Sequence, residues 1–282
     1  MADVRVLEVK ESVFADNDRK ARELRDRLRT QGIFLLNLMS SPGSGKTTTL
    51  TRTIEALRDE LSIAVMEADI DSDVDARAIA DTGVRAIQLH TGGMCHLDAY
   101  MTEQGLNGLL RTVASAETGT AEVGDTAAAN AGVVAGSAAA AEAEAGSETG
   151  AAEAASDGAT SSAAAVGPAA PAVDLAILEN VGNLVCPAEF DTGASANAMI
   201  LSVPEGDDKP LKYPLMFSIC DVVLINKIDA LPVFDTFSME RVRANILARN
   251  PNATIIPISA KTGEGIEEWA AWLRAAVAAW KA

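Results

Sequence analysis

Seven short apolar runs punctuate the 282-residue chain, at 33–40, 63–69, 86–90, 175–181, 199–203, 221–226 and 254–259. Apolar residues fill them continuously rather than in alternation. That pattern marks strands buried on both faces, as in a mainly parallel sheet covered by helices. Stretches with helical spacing lie between them. Residues 16–29 put Leu24 and Leu28 on one face, 47–60 follow the first strand, and 237–248 precede the last. The final helix, 264–280, repeats Trp269, Trp272, Leu273, Val277 and Trp280 at three- and four-residue spacing, a stripe read as core packing. The prediction is an α/β fold of three layers, a mainly parallel sheet flanked by helices.

The pattern fails between residues 115 and 172, where 58 residues hold 24 Ala and eight acids but no Lys, Arg or aromatic side chain. Such low-complexity sequence cannot bury enough apolar area to offset its ordering entropy, so it reads as a disordered, solvated insertion. The chain then divides into an N-terminal helical segment at 1–32, a first block at 33–114, the insertion at 115–172 and a second block at 173–282. The net charge is −17; without the insertion 32 acids face 23 bases, or −9 over 224 residues. This balance argues against nucleic acid or an anionic membrane as partner. The longest apolar run is broken by Asn37 and falls well short of the roughly 20 residues a membrane helix needs. The N-terminus, Met1-Ala2-Asp3-Val4-Arg5, lacks the apolar core of a secretory signal. A cytoplasmic location is expected. Three cysteines without framework spacing are read as thiols or metal ligands rather than disulfides.

The first strand runs into Ser40-Ser41-Pro42-Gly43-Ser44-Gly45-Lys46-Thr47, a match to G-x-x-x-x-G-K-[ST] with Ser40 in place of the first Gly. Gly43 and Gly45 let backbone N–H groups turn around phosphate oxygens, beside the positive N-terminus of the following helix. Lys46 can reach β- and γ-phosphates and Thr47 can ligate magnesium, with Ser44 and Thr48 completing the cradle. The fold is therefore expected to be that of a P-loop NTPase. Ser40 carries a conformational cost only if its backbone needs positive φ.

Guanine is selected further along. Val222-Val223-Leu224-Ile225-Asn226-Lys227-Ile228-Asp229 ends a strand in N-K-x-D, and the Asp229 carboxylate can accept the guanine N1–H and N2 amine, a donor pair that adenine lacks. Ser259-Ala260-Lys261 resembles the third guanine-contacting loop of GTPases, and Glu179-Asn180-Val181-Gly182 is an E-x-x-G variant of their D-x-x-G. The four motifs stand in GTPase order. Asp69 and Glu179, both at strand ends, are candidates for the magnesium environment, with Asp69 preferred. Lys46, Thr47, Asp69 and Glu179 form the expected catalytic set, acting by positioning and charge neutralisation. Asp71, Asp73 and Asp75 read equally as a switch loop or an exposed acidic turn. With Asn183 and no Gln after the E-x-x-G glycine, intrinsic turnover is expected to be slow.

A second chemistry stands in Thr91-Gly92-Gly93-Met94-Cys95-His96-Leu97-Asp98-Ala99 and in Glu179-Asn180-Val181-Gly182-Asn183-Leu184-Val185-Cys186-Pro187. With the phosphate loop, these segments resemble the hydrogenase nickel-incorporation GTPases, the HypB family of the SIMIBI class. Its signatures include C-H-L-D-A and E-N-V-G-N-L-V-C-P. Lys209-Pro210-Leu211-Lys212-Tyr213-Pro214 is similar to a further stretch of that family, whereas the C-P-H motif of the related urease-accessory GTPases is absent. Cys95, His96 and Cys186 offer ligands that Ni(II) and Zn(II) both accept, and geometry rather than sequence discriminates between the two metals.

One chain supplies only these three, so a complete site needs water or a second protomer, and a symmetric homodimer is implied. The resemblance places that metal site at a nucleotide-dependent dimer interface. It further implies a hydrogenase-maturation partner and the hydrogenase large subunit as recipients. Cys220 reads as a small core residue and His90 as a satisfied structural histidine. Many members of the family carry an N-terminal C-x-x-C-G-C motif or a His-rich tract; the first 30 residues here hold neither Cys nor His, so tight nickel storage is not expected.

The expectation is thus a cytoplasmic, magnesium-dependent GTPase that couples GTP hydrolysis and dimerisation to nickel delivery in [NiFe]-hydrogenase maturation. The alternatives are a GTPase metallochaperone for another nickel enzyme such as urease, and a nickel-buffering protein with a vestigial nucleotide site.

Overall fold

The computed structural model describes residues 9–69, 79, 82–116 and 173–282, apart from the side chains of 9–13, 69 and 111–116. The elements are α1 (Val9–Gln31), β1 (Phe34–Ser40), α2 (Lys46–Leu57), β2 (Ile63–Asp69), β3 (Arg85–His90), α3 (Ala99–Ala116), β4 (Leu175–Glu179) and α4 (Cys186–Glu189). They continue with β5 (Ala196–Ser202), α5 (Lys209–Lys212), α6 (Pro214–Ser218), β6 (Val222–Asn226), α7 (Met239–Leu247), β7 (Thr254–Pro257) and α8 (Ile266–Lys281). Asp71, Asp73 and Asp75 and almost all of the insertion lie outside the described residues.

The seven strands form one sheet in the order β3-β2-β4-β1-β5-β6-β7. Every pairing is parallel. Successive strand residues point to opposite faces, and each face finds its own cover. Leu36 and Leu38 of β1 pack with Leu50, Ile54 and Leu57 of α2 and with Trp269, Leu273 and Val277 of α8. Leu35 faces the other way, toward Leu24 and Leu28 of α1 and Leu106 and Leu109 of α3. Beyond β1 on that side, Met199, Val223 and Ile225 bury Val242 and Ile246 of α7. The Trp stripe belongs to this packing: the Trp269 indole N–H donates to Thr53 Oγ1 at 2.9 Å, and Trp280 packs edge-on against Phe34 at 6.1 Å.

A buried amide ladder ties the three central strands. Asn180 Nδ2 donates to Asn37 Oδ1 at 3.0 Å, and Asn37 Nδ2 donates to Asn197 Oδ1 at 2.9 Å. The Asn37 that interrupts an apolar run is thus satisfied by its neighbours, as buried polar groups must be. The chain runs from β1 toward β2 on one side, while β4 crosses to β5 on the other side of β1, and a crevice opens at the carboxyl ends of the strands where the order switches.

Two differences from the pattern reading have physical causes. Helix α1 begins at Val9 rather than at residue 16, and Phe14 finds a ring partner in Phe190 at 5.0 Å, a contact distant in sequence. Helix α3 is absent from the sequence reading because Gly105 and Gly108 dilute its signal. Gly105 is there for contact: a Cβ would come within 2.8 Å of the Leu89 side chain and 3.0 Å of Met66 Sδ. Ion pairs of Glu103 with Lys20 at 2.6 Å and Arg27 at 3.2 Å join α3 to α1. No helix among the described residues is long and apolar enough to cross a membrane.

Candidate functional site

β1 ends at Ser40, whose hydroxyl donates to the Ser41 carbonyl at 2.9 Å. The only described non-glycine residue with positive φ is Lys227, so Ser40 replaces the usual Gly without a backbone cost. Gly43 and Gly45 do adopt positive φ, 73° and 96°. Gly45 is needed twice over, since a Cβ there would lie 2.5 Å from Asn226 Nδ2. The loop then enters α2 at Lys46, and a cleft of about 510 Å³ opens above it, lined by Gly43, Lys46, Thr47, Thr48, Glu67 and Glu179 among others.

Lys46 Nζ stands 3.5 Å from Glu179 Oε1, so the residues read as a phosphate ligand and as a candidate for the magnesium environment do meet. Asp69 ends β2 opposite His90 in register; its side chain lies outside the described residues. Glu67 is the residue that sequence reasoning missed. It is 2% exposed, pairs in register with Glu179 and lines the same cleft. The available signal was a single acid inside an otherwise apolar run, two positions before the strand end. Hydroxyl and carboxylate oxygens around a phosphate cradle are the hard donors that magnesium takes.

At the far end, the three N-K-x-D residues divide their work. Asn226 is buried: its Nδ2 donates to the Ser44 carbonyl at 2.8 Å, and its Oδ1 accepts from Lys227 N at 2.7 Å and Ala260 N at 3.1 Å. Lys227 Nζ donates to the Gly43 carbonyl at 2.6 Å. Both therefore brace the phosphate loop against β6. Asp229 is exposed, and its Oδ1 accepts from the buried Ser259 hydroxyl at 2.7 Å, which leaves a fixed carboxylate able to accept from a base edge. Ala260 is buried and Lys261 is exposed.

The second site lies one loop away. A turn through Gly92 and Gly93, both at positive φ, delivers Cys95 and His96, half-buried, before the fully buried Leu97. Asp98 Oδ1 then accepts from Met101 N at 2.8 Å and starts α3. Cys186 opens the short α4. Cys186 lies within reach of Cys95: the neighbouring Cys95 thiol, followed by partial burial, pushes the Cys186 thiol above its ordinary pKa, while Asn183 opposes the rise.

His96 does not complete a triad, since no group of three His, Cys, Asp or Glu among the described residues is placed to hold a metal ion. Its ring instead stacks on Phe190, centroids 3.9 Å apart and 12° between planes. Desolvation lowers the His96 pKa against the opposing pull of Asp98 and Glu189, which favours the neutral, ligand-competent imidazole. The geometry thus assembles two soft ligands with an imidazole beside them, an incomplete set for one chain.

The remaining chemistry-bearing residues fall elsewhere. Cys220 is fully buried, donates to the Met216 carbonyl at 2.9 Å and has its thiol pushed up by desolvation, as a core residue should. His90 is exposed at the end of β3 rather than enclosed by structural contacts. Lys209 and Tyr213 line a cavity of about 360 Å³ beside Pro42 and Asn183, which places the 209–214 segment next to the phosphate loop.

Residues 34–257 match the CobW/HypB/UreG nucleotide-binding domain family. The chain is 42% identical to the hydrogenase maturation factor HypB of Cupriavidus necator over 282 residues, covering 99% of this chain and 72% of that protein. It is 38% identical to the hydrogenase maturation factor HypB of Rhizobium leguminosarum over 278 residues, covering 99% and 73%. Among solved structures, HypB from Helicobacter pylori in complex with nickel superposes with a TM-score of 0.69 at 33% identity, covering 93% of this chain and 95% of that one. HypB from Archaeoglobus fulgidus superposes at 0.67 with 30% identity, covering 93% and 99%. With the phosphate loop, the guanine-type loops and the paired thiols all in place on a matching fold, the chain belongs to the HypB family of hydrogenase maturation factors.

Proposed function

We propose that the protein is a magnesium-dependent GTPase whose nucleotide state controls a nickel site at Cys95 and Cys186, for delivery to a [NiFe]-hydrogenase. Amides of the 43–48 loop and Lys46 hold the phosphates, and Asp229, fixed by Ser259, accepts from the guanine edge, with Asn226, Lys227, Ala260 and Lys261 shaping that pocket. Thr47 and Asp69 hold magnesium, which supplies charge neutralisation at the phosphates when bound. Glu179 orients Lys46 and the attacking water. Hydrolysis then rests on preorganised charge rather than on a strong base.

The observation that carries this reading is the path from Glu179 to Cys186. Glu179 contacts Lys46 at 3.5 Å, Gly182 packs beside Pro42 of the phosphate loop, and Asn183 lies beside Cys186, where it acts to lower the thiol's pKa. A γ-phosphate that draws Lys46 from Glu179 acts on a segment whose other end is a metal ligand. The two thiols, with His96 or with the same residues of a second protomer, form the nickel site of a homodimer, and a hydrogenase-maturation partner and the hydrogenase large subunit are the receiving side.

A relative from Helicobacter hepaticus, 33% identical over 260 residues and covering 92% of this chain, is named a hydrogenase/urease maturation factor, which keeps urease as a second recipient. Deletion of the gene separates these: loss of hydrogenase activity that excess nickel restores supports the first reading, and loss of urease activity the second. A nickel buffer with a vestigial nucleotide site is disfavoured by the intact Lys46, Thr47, Asn226 and Asp229. GTP affinity measured by calorimetry with and without magnesium decides that point, since a buffer binds nickel but no GTP.

A further inference from the structure

Helix α1 carries a buried amide that touches both loops on which the thiols are mounted. Asn17, 3% exposed, donates from Nδ2 to the Asp191 carbonyl at 2.9 Å and accepts at Oδ1 from the Ala99 N–H at 3.0 Å. Ala99 follows His96 by three residues, and Asp191 follows Cys186 by five. One planar amide, with both of its ends bonded, therefore sets the separation of the two ligand-bearing segments. A buried amide of this kind is costly unless both bonds are made, so its presence defines one spacing of the loops.

Aromatic packing adds a second tie from the same helix. Phe190 lies between Phe14 of α1, centroids 5.0 Å apart, and the His96 imidazole, stacked nearly parallel to it at 3.9 Å. The Phe190 ring thus fixes the plane of the imidazole, and Phe14 backs the Phe190 ring. Around them the 191–194 turn is held to α1. Arg25 Nη2 bonds both Asp191 carboxylate oxygens at 2.7 and 2.9 Å, and Arg25 Nε donates to the Ala194 carbonyl at 2.9 Å. Gly193, at φ 77°, sits so close that a Cβ would meet Leu24 Cδ2 at 2.9 Å.

We propose that Asn17 and Phe190 are positioning residues for the nickel site: Asn17 holds the Cys95 and Cys186 segments at ligand spacing, and Phe190 fixes the His96 imidazole in one orientation beside the thiols. The role rests on the nickel reading of the two thiols given above. It assigns α1 a task in metal affinity beyond its part in the hydrophobic core, through residues that touch no metal. Groups that orient ligands in this way change metal affinity by roughly 10- to 100-fold when removed.

The test is a Ni(II) titration of the full-length protein, followed by thiolate-to-nickel charge-transfer absorption, for Asn17→Ala, Phe190→Leu, Phe190→Tyr and Leu28→Ala. Leu28 is a fully buried α1 residue that makes none of these hydrogen bonds or ring contacts, so L28A reports the effect of lost helix packing. Expected are a loss of nickel affinity of at least about 10-fold with a shifted band in N17A and F190L, recovery in F190Y, and wild-type nickel binding in L28A despite a lower melting temperature. Wild-type affinity and an unshifted band in N17A and F190L overturn the positioning role, as does an equal loss in L28A. If the wild type itself shows no band that Cys95→Ala with Cys186→Ala removes, the nickel reading fails first and the positioning role with it.

Discussion

Lys46 Nζ lies 3.5 Å from Glu179 Oε1, at the junction between the phosphate loop and the strand end that leads to Cys186. Glu179 is 2% exposed and Lys46 lines the same cleft, so the pair is poorly screened and a phosphate must compete with the carboxylate for the ammonium. Lys46→Ala is expected to lower GTP hydrolysis by roughly 100- to 1,000-fold, the effect of removing one preorganised donor. Glu179→Gln is expected to keep GTP binding while hydrolysis falls and nickel binding stops responding to nucleotide. Phosphate release and nickel absorbance on the two variants check this, and an E179Q protein that still couples the two sites counts against the path.

Asp229 is anchored by Ser259 and otherwise exposed, so its carboxylate answers to the base. Asp229→Asn replaces an acceptor by a group that also donates. Losing charged hydrogen bonds of about 1.5 to 3 kcal/mol each, GTP affinity is expected to fall by at least about tenfold while xanthosine triphosphate gains. Competition binding of the two nucleotides measures it.

Gly45 combines φ 96° with a neighbour, Asn226 Nδ2, 2.5 Å from where a Cβ would be. Gly45→Ala is expected to strain the backbone by on the order of 1 to 3 kcal/mol and to break the Asn226 to Ser44 bond. Both stability in denaturant and nucleotide affinity should drop together. Gly43→Ala has open space around the new methyl and carries only the φ cost, so it should be the milder change.

Much of this was legible in the sequence, and what was not has identifiable reasons. Continuous apolar runs located all seven strands because a parallel sheet covered on both faces leaves no polar alternation. The phosphate loop and N-K-x-D were readable because their chemistry is local. Helix α3 was not, since Gly105 is chosen for its approach to Leu89 and weakens the helical signal. Glu67 entered the cleft through its register with Glu179, and register is a property of the sheet rather than of either strand. The meeting of Cys95 and Cys186 across the 115–172 segment was expected only through the family resemblance of their motifs, and the stacking of His96 on Phe190 is a tertiary fact with no local trace.

Asp207 gives the fold a pH dependence. It accepts from Ser238 N at 2.7 Å and from Arg241 Nε at 2.9 Å, joining the Val203–Glu205 turn region to the start of α7. The Arg241 hydrogen bond holds its carboxyl below the usual carboxylate range, against the opposing effect of desolvation. A lowered folded pKa means that the unfolded chain takes up the proton first. The contribution is therefore complete above the unfolded value of about 3.9 and is lost as pH falls through the folded value. Denaturant midpoints measured from pH 6 to pH 3 should decline, and less steeply for Asp207→Asn, which at neutral pH should be less stable by about 1 to 3 kcal/mol.

The central claim is that nucleotide state reaches the thiol pair. Its most direct measurement is a Ni(II) titration of the purified protein, reading thiolate charge-transfer absorption and molecular mass with and without GTP and magnesium, beside the Cys95→Ala, Cys186→Ala double variant. The expected result is a band present only in the wild type that shifts, together with dimer formation, when GTP and magnesium are added. A band that is identical in the double variant, or one that nucleotide leaves unchanged, contradicts the claim.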